Sequence, residues 1–391
     1  MKILIIGGGI GGLAAALALL RAGFDARVYE QAPALGEVGA GLTLSRGALA
    51  CCAHLGIAEA VHSSLALATG FSYLHYQSGA VLVAAPPPAA SHPKDVQGGH
   101  IYRPDFHGIL VAAVRRYGQD RILLGHRLAG ITQDAAGVTA TFADGASAQG
   151  EVLIGADGVR SAVRAAVFDA EQPEFTGKIA FRFMLPVDQA GDFRLLGGPA
   201  CLFVGRGRVF NRYLVSQGRL LNCVGLLACE GWAEDGWNTP ATAEELLGHY
   251  EGWHPAVRSL MARAPEGKLI KWGIFARPPR DIWVQGRVAL LGDAAHPMQP
   301  FLGLGAAMAV EDATILGRAF AEHADIDAAL AAYARLRMPR ANKVMMLSKL
   351  QGDLFDTTDP ADYPPRHAPS HDPSVGVFDP LVGWGEEAVL F

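Results

Sequence analysis

Residues 2–30, KILIIGGGIGGLAAALALLRAGFDARVYE, decide the fold. KILII (2–6) reads as a buried strand that runs straight into Gly7-Gly8-Gly9-Ile10-Gly11-Gly12. A helix follows, with Leu13, Leu17 and Leu20 on one face, and ends near Gly23. A second strand, 26–29, closes on Glu30. This is the first half of a βαβ unit with a glycine run, Gly11 included, at its turn. A GxGxxG is a weak signal in a chain with 47 glycines. Here it follows a strand, opens a helix and has an acid at the next strand end, the context that makes it a dinucleotide site. Gly7 permits the tight turn, Gly9 lets a pyrophosphate approach the backbone, and Gly12 lets helix and strand pack closely. Glu30 is then placed to accept hydrogen bonds from a ribose.

The chain has 391 residues, enough for two domains; half are hydrophobic, and the net charge is –5. No basic block marks a nucleic-acid surface, and no Lys/Arg-rich amphipathic stretch marks a membrane surface. The apolar run at the N-terminus is interrupted by five glycines and lacks a small-residue cleavage site, so it reads as core rather than as a signal peptide or a span. The cysteines, Cys51, Cys52, Cys201, Cys223 and Cys229, form no CxxC and no zinc spacing. They point to reduced structural thiols and a cytoplasmic protein. His367 and His371 have a His-x-x-x-His spacing but stand among prolines, so no metal site is expected.

Further along, 71–85 reads as two strands around a Ser78-Gly79 turn, and APPPAASHP (85–93) as a loop. A helix is expected over 102–116, strands at 122–124, 137–142 and 152–155, and mostly β-structure over 176–230. Helices are expected near 241–251 and 255–263, a strand at 288–291, and helix from 306 to about 349. The fold class is therefore α/β: a Rossmann-like dinucleotide domain interrupted by a mainly β domain, with a helical C-terminal region.

Two more segments carry chemistry. GADGVRSAVR (155–164) ends a strand on Asp157-Gly158 and precedes Ser161 and Arg164. GDAAHPMQPFLGLGAAMAVEDA (292–313) puts Asp293, two prolines and two glycines between a strand and a helix start, where backbone amides can face an anion. With GxGxxG, these three motifs, in this order over residues 1–345, resemble the group A flavoprotein monooxygenases, the aromatic hydroxylases typified by salicylate and p-hydroxybenzoate hydroxylases.

The resemblance implies bound FAD, transient NADH or NADPH, and O2. It implies reduction of the flavin, oxygen addition at C4a, and delivery of the distal oxygen to a small hydroxy- or amino-substituted benzoate- or pyridine-like ring. Gly7, Gly9, Gly11, Gly12 and Glu30 would hold the ADP half of FAD. Arg103 would reach its flavin side, Asp157 would lie in the motif linked to FAD and the pyridine nucleotide, and Asp293 would bond the ribityl chain. Pro300, Gly303, Gly305 and Ala306 would border the isoalloxazine, with the helix N-terminus at its N1/O2 edge. The implied division is 1–70, 98–175 and 272–345 for FAD, 71–97 and 176–271 for substrate, and 346–391 as an irregular tail. A homodimer is left open.

A benzoate-like substrate needs a cation, for which Arg46, Arg182 and Arg212 are the candidates. Tyr213 is a candidate to orient a phenol, and Phe181, His296 and Met308 to line the pocket; His296 and Arg212 also count as catalytic candidates. The chain departs from the pattern in three places. Gly303-Leu304-Gly305 stands where many relatives have Gly-Gln-Gly, and Arg46-Gly47 where they have Pro-Asn. No His lies in 176–230, where Asn211, Arg212 and Tyr213 are the polar candidates. The alternatives are other flavin chemistry (epoxidation, dehydrogenation) or a non-catalytic FAD-binding protein. A halogenase lacks its WxWxIP-like segment, and no GxSxG marks a hydrolase.

Overall fold

A computed structural model describes residues 1–36, 39–67, 70–85, 98–232, 238–357 and 359–360. The glycine-rich turn lies in a six-stranded sheet ordered Val284–Gln285, Val288–Leu290, Val152–Gly155, Lys2–Ile6, Asp25–Glu30, Ile122–Leu124. All its pairs are parallel except the 284–290 hairpin. Its central strands are continuous apolar runs because both faces are covered.

Helix α1 (Ile10–Arg21) connects the first two parallel strands and is buried on nearly every side. Its crowding partner later in the chain approaches at Gly317, where a Cβ would sit 2.7 Å from Ala18 Cβ. Helices α2 (Arg46–His54) and α3 (Ala58–Ser64) and a small sheet, Gly41–Ser45, Gly98–Tyr102 and Ala66–Leu67, follow. None of these elements over 41–67 is expected from the sequence pattern. Helices α4 (Arg103–Arg115) and α5 (Ala162–Val167) complete this part with an antiparallel meander over 128–150.

The second large sheet has eight strands, ordered Thr239–Pro240, Ile270–Ala276, Glu174–Pro186, Leu220–Ala228, Arg208–Val215, Cys201–Gly205, Phe71–His75, Val81–Ala85. It is antiparallel apart from the 71–75/201–205 pair. Helices α6 (Ala243–His249) and α7 (Pro255–Met261) cover one face through Phe181, Phe183, Phe210, Trp253 and Leu260. The other face carries Ala180, Leu202, Val209, Leu226 and Trp272 and packs against Phe301 and Phe355. The strand Ile270–Ala276 belongs to this sheet, so an expected domain boundary at 272 cuts through a strand.

Helix α8 (Gly305–Glu322) follows the second motif loop, and α9 (Ile326–Thr357) packs on it. An irregular tail from 346 is thus corrected over its first part: α9 continues through Gly352. Gly352 marks a close approach inside the helix, since a Cβ there would lie 2.6 Å from Phe301 Cε2. Phe355 then packs against Phe301, ring centroids 5.9 Å apart and tilted by 52°, and Lys178 pairs with Asp356 at 2.7 Å, tying the helix end to the β sheet. Residues 86–97, expected as a loop, and the residues beyond 360, His367 and His371 among them, lie outside the described residues. Among the described residues no helix is long and apolar enough to cross a membrane, and no three metal-binding side chains cluster.

Candidate active site

Gly7 takes φ +108, and a Cβ there would sit 2.4 Å from Ala156 O; the turn lies directly on the backbone before Asp157. At Gly12 a Cβ would meet Gly7 O at 1.9 Å. Gly9, the N-cap of α1, differs: its backbone is ordinary (φ –75, ψ –175) and nothing lies within 4 Å of its Cβ position. The protein itself has room for a side chain at Gly9, so the space is a cradle for something else. Gly11 is a packing glycine, its Cβ position 2.9 Å from Leu291 Cδ2. Glu30 accepts from the Gly8 N–H (2.6 Å) and the Ala32 N–H (2.8 Å), and each oxygen keeps a second lone pair. His107, which the sequence reading missed, sits on α4 with Nε2 2.8 Å from Gly8 O and braces the turn from behind. A lone helical His carries no sequence signal until its partner is known.

A second recess opens where the strand Val288–Leu290 ends. Gly292 takes φ +61, and its N–H donates to Asp312 Oδ2 at 3.1 Å. Solvent reaches the Asp293 side chain although protein surrounds it; burial pushes its carboxyl up, and His296 and Arg103 pull it back. Arg103 opens α4, its N–H bonded to Ala40 O at 2.8 Å. Asp293 Oδ1 lies 3.8 Å from where a Cβ on Gly305 would be, at the first turn of α8. No side chain caps α8, so its leading amides are available to a partner beyond the chain. Pro300 is exposed, Gly303 turns the loop at φ +68, and Gly305 and Ala306 keep part of their surface accessible. Arg103, Asp293 and the start of α8 are therefore brought together. Leu304 is 2% exposed and packs in the core, so the departure from Gly-Gln-Gly serves packing.

Asp157 is occupied locally. Its Oδ1 accepts from Ser161 Oγ (2.5 Å) and its Oδ2 from the Ala162 and Val163 amides (2.7 and 3.1 Å), which caps α5.

Strand alternation sorts the substrate candidates. Neighbours in one strand face opposite ways, so Phe181 and Arg182 cannot both face the first domain, nor can Arg212 and Tyr213. Phe181 points into the core under α6 and α7, against His249. Arg212 is 1% exposed and donates to the carbonyls of Gly198 (2.8 Å), Phe193 (2.7 Å) and Leu196. Both readings are corrected: Phe181 is core, and Arg212 is a buried bracket for the 193–198 turn. Met308 is also core, 1% exposed beside Arg337. His296 is fully buried, Nε2 2.5 Å from Asp312 Oδ2 and stacked on Trp283 at 5.3 Å. Burial works against its charge, but Asp312 outweighs burial and pushes it up. It braces the loop from beneath and cannot reach a substrate. Asp312 in turn receives Arg337 Nε at 2.8 Å, and Glu311 receives Arg337 and Arg340. Arg46 opens α2 behind the Ser45 cap, its Nε buried without a protein hydrogen-bond partner.

That inner face holds the remaining candidates. Cross-strand register aligns Arg182, Val224, Asn211, Leu202 and Tyr73 in one row and Met184, Asn222 and Tyr213 in the next. Arg182 lies over the Trp272 ring at 4.7 Å. Burial raises the Tyr213 phenol, and Arg182 offsets part of that. His100, absent from the sequence candidates, stacks on Tyr213 with centroids 4.2 Å apart.

The open cradle at Gly9, the acid beside it and the carboxylate recess below an uncapped helix fit FAD. Residues 1–348 match the protein family described as FAD binding domain. The chain is 35% identical to aurachin C monooxygenase/isomerase of Stigmatella aurantiaca, covering 88% of this chain and 86% of that protein. It is 34% identical to 6-hydroxynicotinate 3-monooxygenase of Bordetella bronchiseptica, over 89% and 90%. The structure of Klebsiella pneumoniae HpxO with FAD and uric acid superposes with a TM-score of 0.83 at 29% identity, over 93% and 92%. The chain belongs to the FAD-dependent aromatic monooxygenases.

Proposed function

We propose that this enzyme hydroxylates a small aromatic ring that bears a hydroxyl or amino group and an acidic substituent, a benzoate- or pyridine-like acid. The observation that carries this is the composition of the inner sheet face: Arg182 in a row with Asn211, the Tyr213 phenol and Asn222 in the next row, and the apolar Ala180, Leu202, Val209, Leu226 and Trp272 around them. Such a face suits a flat ring with one anionic and one hydrogen-bonding end. The action of a relative on 6-hydroxynicotinate is consistent with it.

Bound FAD supplies two-electron transfer from NADH or NADPH and the activation of O2. The chain supplies placement. Gly7, Gly9, Gly12 and Glu30 would hold the adenosine diphosphate half, and Arg103, Asp293 and the amides at 303–306 the ring half. The α8 N-terminus would favour negative charge on a flavin ring held beside it. Arg182 would neutralise the substrate acid, and Tyr213 would accept or donate a hydrogen bond at the ring hydroxyl. Leu202, Val224 and Trp272 exclude water around the reacting carbon. The substrate domain would comprise 71–97 and 174–276, so that strands Glu174–Pro186 and Ile270–Ala276 stay whole, with the rest to residue 345 holding FAD.

The test is NADH and NADPH oxidation by FAD-loaded protein with hydroxy- and amino-aromatic acids and their decarboxylated analogues, with peroxide and product quantified. Acids should stimulate oxidation with little peroxide, and R182A should raise KM for the acids far more than for the analogues. Oxidation that no aromatic stimulates, or that ends entirely in peroxide, refutes the reading.

A further inference from the structure

The Tyr213 phenol is held from the first domain by a line of contacts that the motifs do not include. Strands Gly41–Ser45 and Gly98–Tyr102 pair so that Thr43 and His100 are direct cross-strand partners, with Thr43 Oγ1 3.2 Å from His100 Nδ1. The His100 ring lies on the Tyr213 ring at 4.2 Å with a 31° tilt. The far edge of Tyr213 abuts Gly41, where a Cβ would lie 2.4 Å from Cε2 and 2.7 Å from the hydroxyl. Gly41 donates its N–H to Asn222 Oδ1 at 3.0 Å, and Asn222 is the cross-strand neighbour of Tyr213. At the other end Thr43 Oγ1 lies 3.3 Å from the position a Cβ on Gly303 would take. Gly303, Thr43, His100 and Tyr213 thus form a continuous line from the loop before α8 to the β sheet's inner face.

We infer that His100 is a positioning residue: anchored by Thr43, its imidazole fixes the Tyr213 phenol relative to the loop at Gly303. The inference deepens the proposed function and rests on its placement of the substrate against Tyr213. Burial lowers the His100 imidazole to about 4, so it is neutral at physiological pH. A neutral ring stacks on the phenol without opposing Arg182. Ring attack at one carbon requires the substrate to be held to a fraction of an ångström relative to the oxygen donor. A phenol tied to the loop that borders the donor meets that need better than one tied to the β sheet alone.

The experiment compares FAD-loaded wild type, H100A, H100F, H100Q and T43V. H100F keeps a ring on Tyr213 and loses the Thr43 bond; H100Q keeps a polar partner for Thr43 and loses the ring. The first readout is the visible circular dichroism of bound FAD with no aromatic added. The second is product formed per NAD(P)H consumed, with 3-hydroxybenzoate and 6-hydroxynicotinate as probes. H100A and T43V should alter the resting FAD spectrum. H100A should lower the product yield several-fold, with peroxide making up the difference. H100F and H100Q should each recover part of the yield. Wild-type FAD spectra in both H100A and T43V overturn the inference. If neither probe is hydroxylated even by wild type, the substrate reading fails for these acids, and the resting spectra still decide the role of His100.

Discussion

Gly9 separates folding from cofactor binding better than any other position in the glycine run. Its backbone at φ –75, ψ –175 suits alanine, and no protein atom lies within 4 Å of the added methyl. Alanine is a poorer N-cap than glycine, but it also reduces the freedom of the unfolded chain, so G9A should leave the stability of the FAD-free protein within about 1 kcal/mol of wild type. The methyl does, however, fill the cradle. If a pyrophosphate packs there, overpacking should cost about 1–3 kcal/mol, and with tenfold per 1.4 kcal/mol FAD affinity falls roughly 5- to 150-fold. G12A is the control, because its Cβ would stand 1.9 Å from Gly7 O and must displace backbone; it should lose stability and FAD together. Urea denaturation of the FAD-free proteins and fluorescence titration with FAD measure the two quantities. Wild-type FAD affinity in G9A would falsify the placement of the phosphates, and a G9A protein as unstable as G12A would refute the claim that the space is free.

Arg337 is 1% exposed and bonds both Asp312 and Glu311, so R337M should leave buried carboxylates underpaired and cost about 3–5 kcal/mol in urea denaturation; a smaller loss means that His296 and Arg340 suffice. G352A should destabilise by about 1–3 kcal/mol through the contact with Phe301, despite alanine's better helix propensity. A stabilised G352A protein shows that the end of α9 is not seated there. Because the folded state holds His100 at about 4, below its ordinary value of 6.5, the unfolded chain binds the extra proton first as pH falls. The stability associated with neutral His100 is complete above about 6.5 and is lost as pH drops toward 4. Urea midpoints of wild type should therefore fall relative to H100F between about pH 7 and about pH 5, and a constant difference across that range contradicts the burial argument.

The motif loops and the long helices were legible because each depends on local conformation and spacing. Gly7 and Gly12 had to be glycine for reasons contained within a strand–turn–helix, and Asp293 followed an apolar strand in the expected way. The helix end was misread because the reason for Gly352 lies in Phe301, far back in the chain. Alternation could have removed one member of each pair, Phe181/Arg182 and Arg212/Tyr213. It could not say which, since the face that meets the first domain is set by where α6 and α7 pack. His100 and His107 were invisible for the same cause: their partners Tyr213, Thr43 and Gly8 are brought to them only by long-range pairing.

From the sequence alone came the dinucleotide fold, the cofactor class and the two glycine-containing loops at strand ends, because backbone geometry at glycines and strand ends is a local property. The tertiary structure alone decided which polar residues share the site and which brace it, because that depends on strand register and on which face of a sheet another layer has already covered.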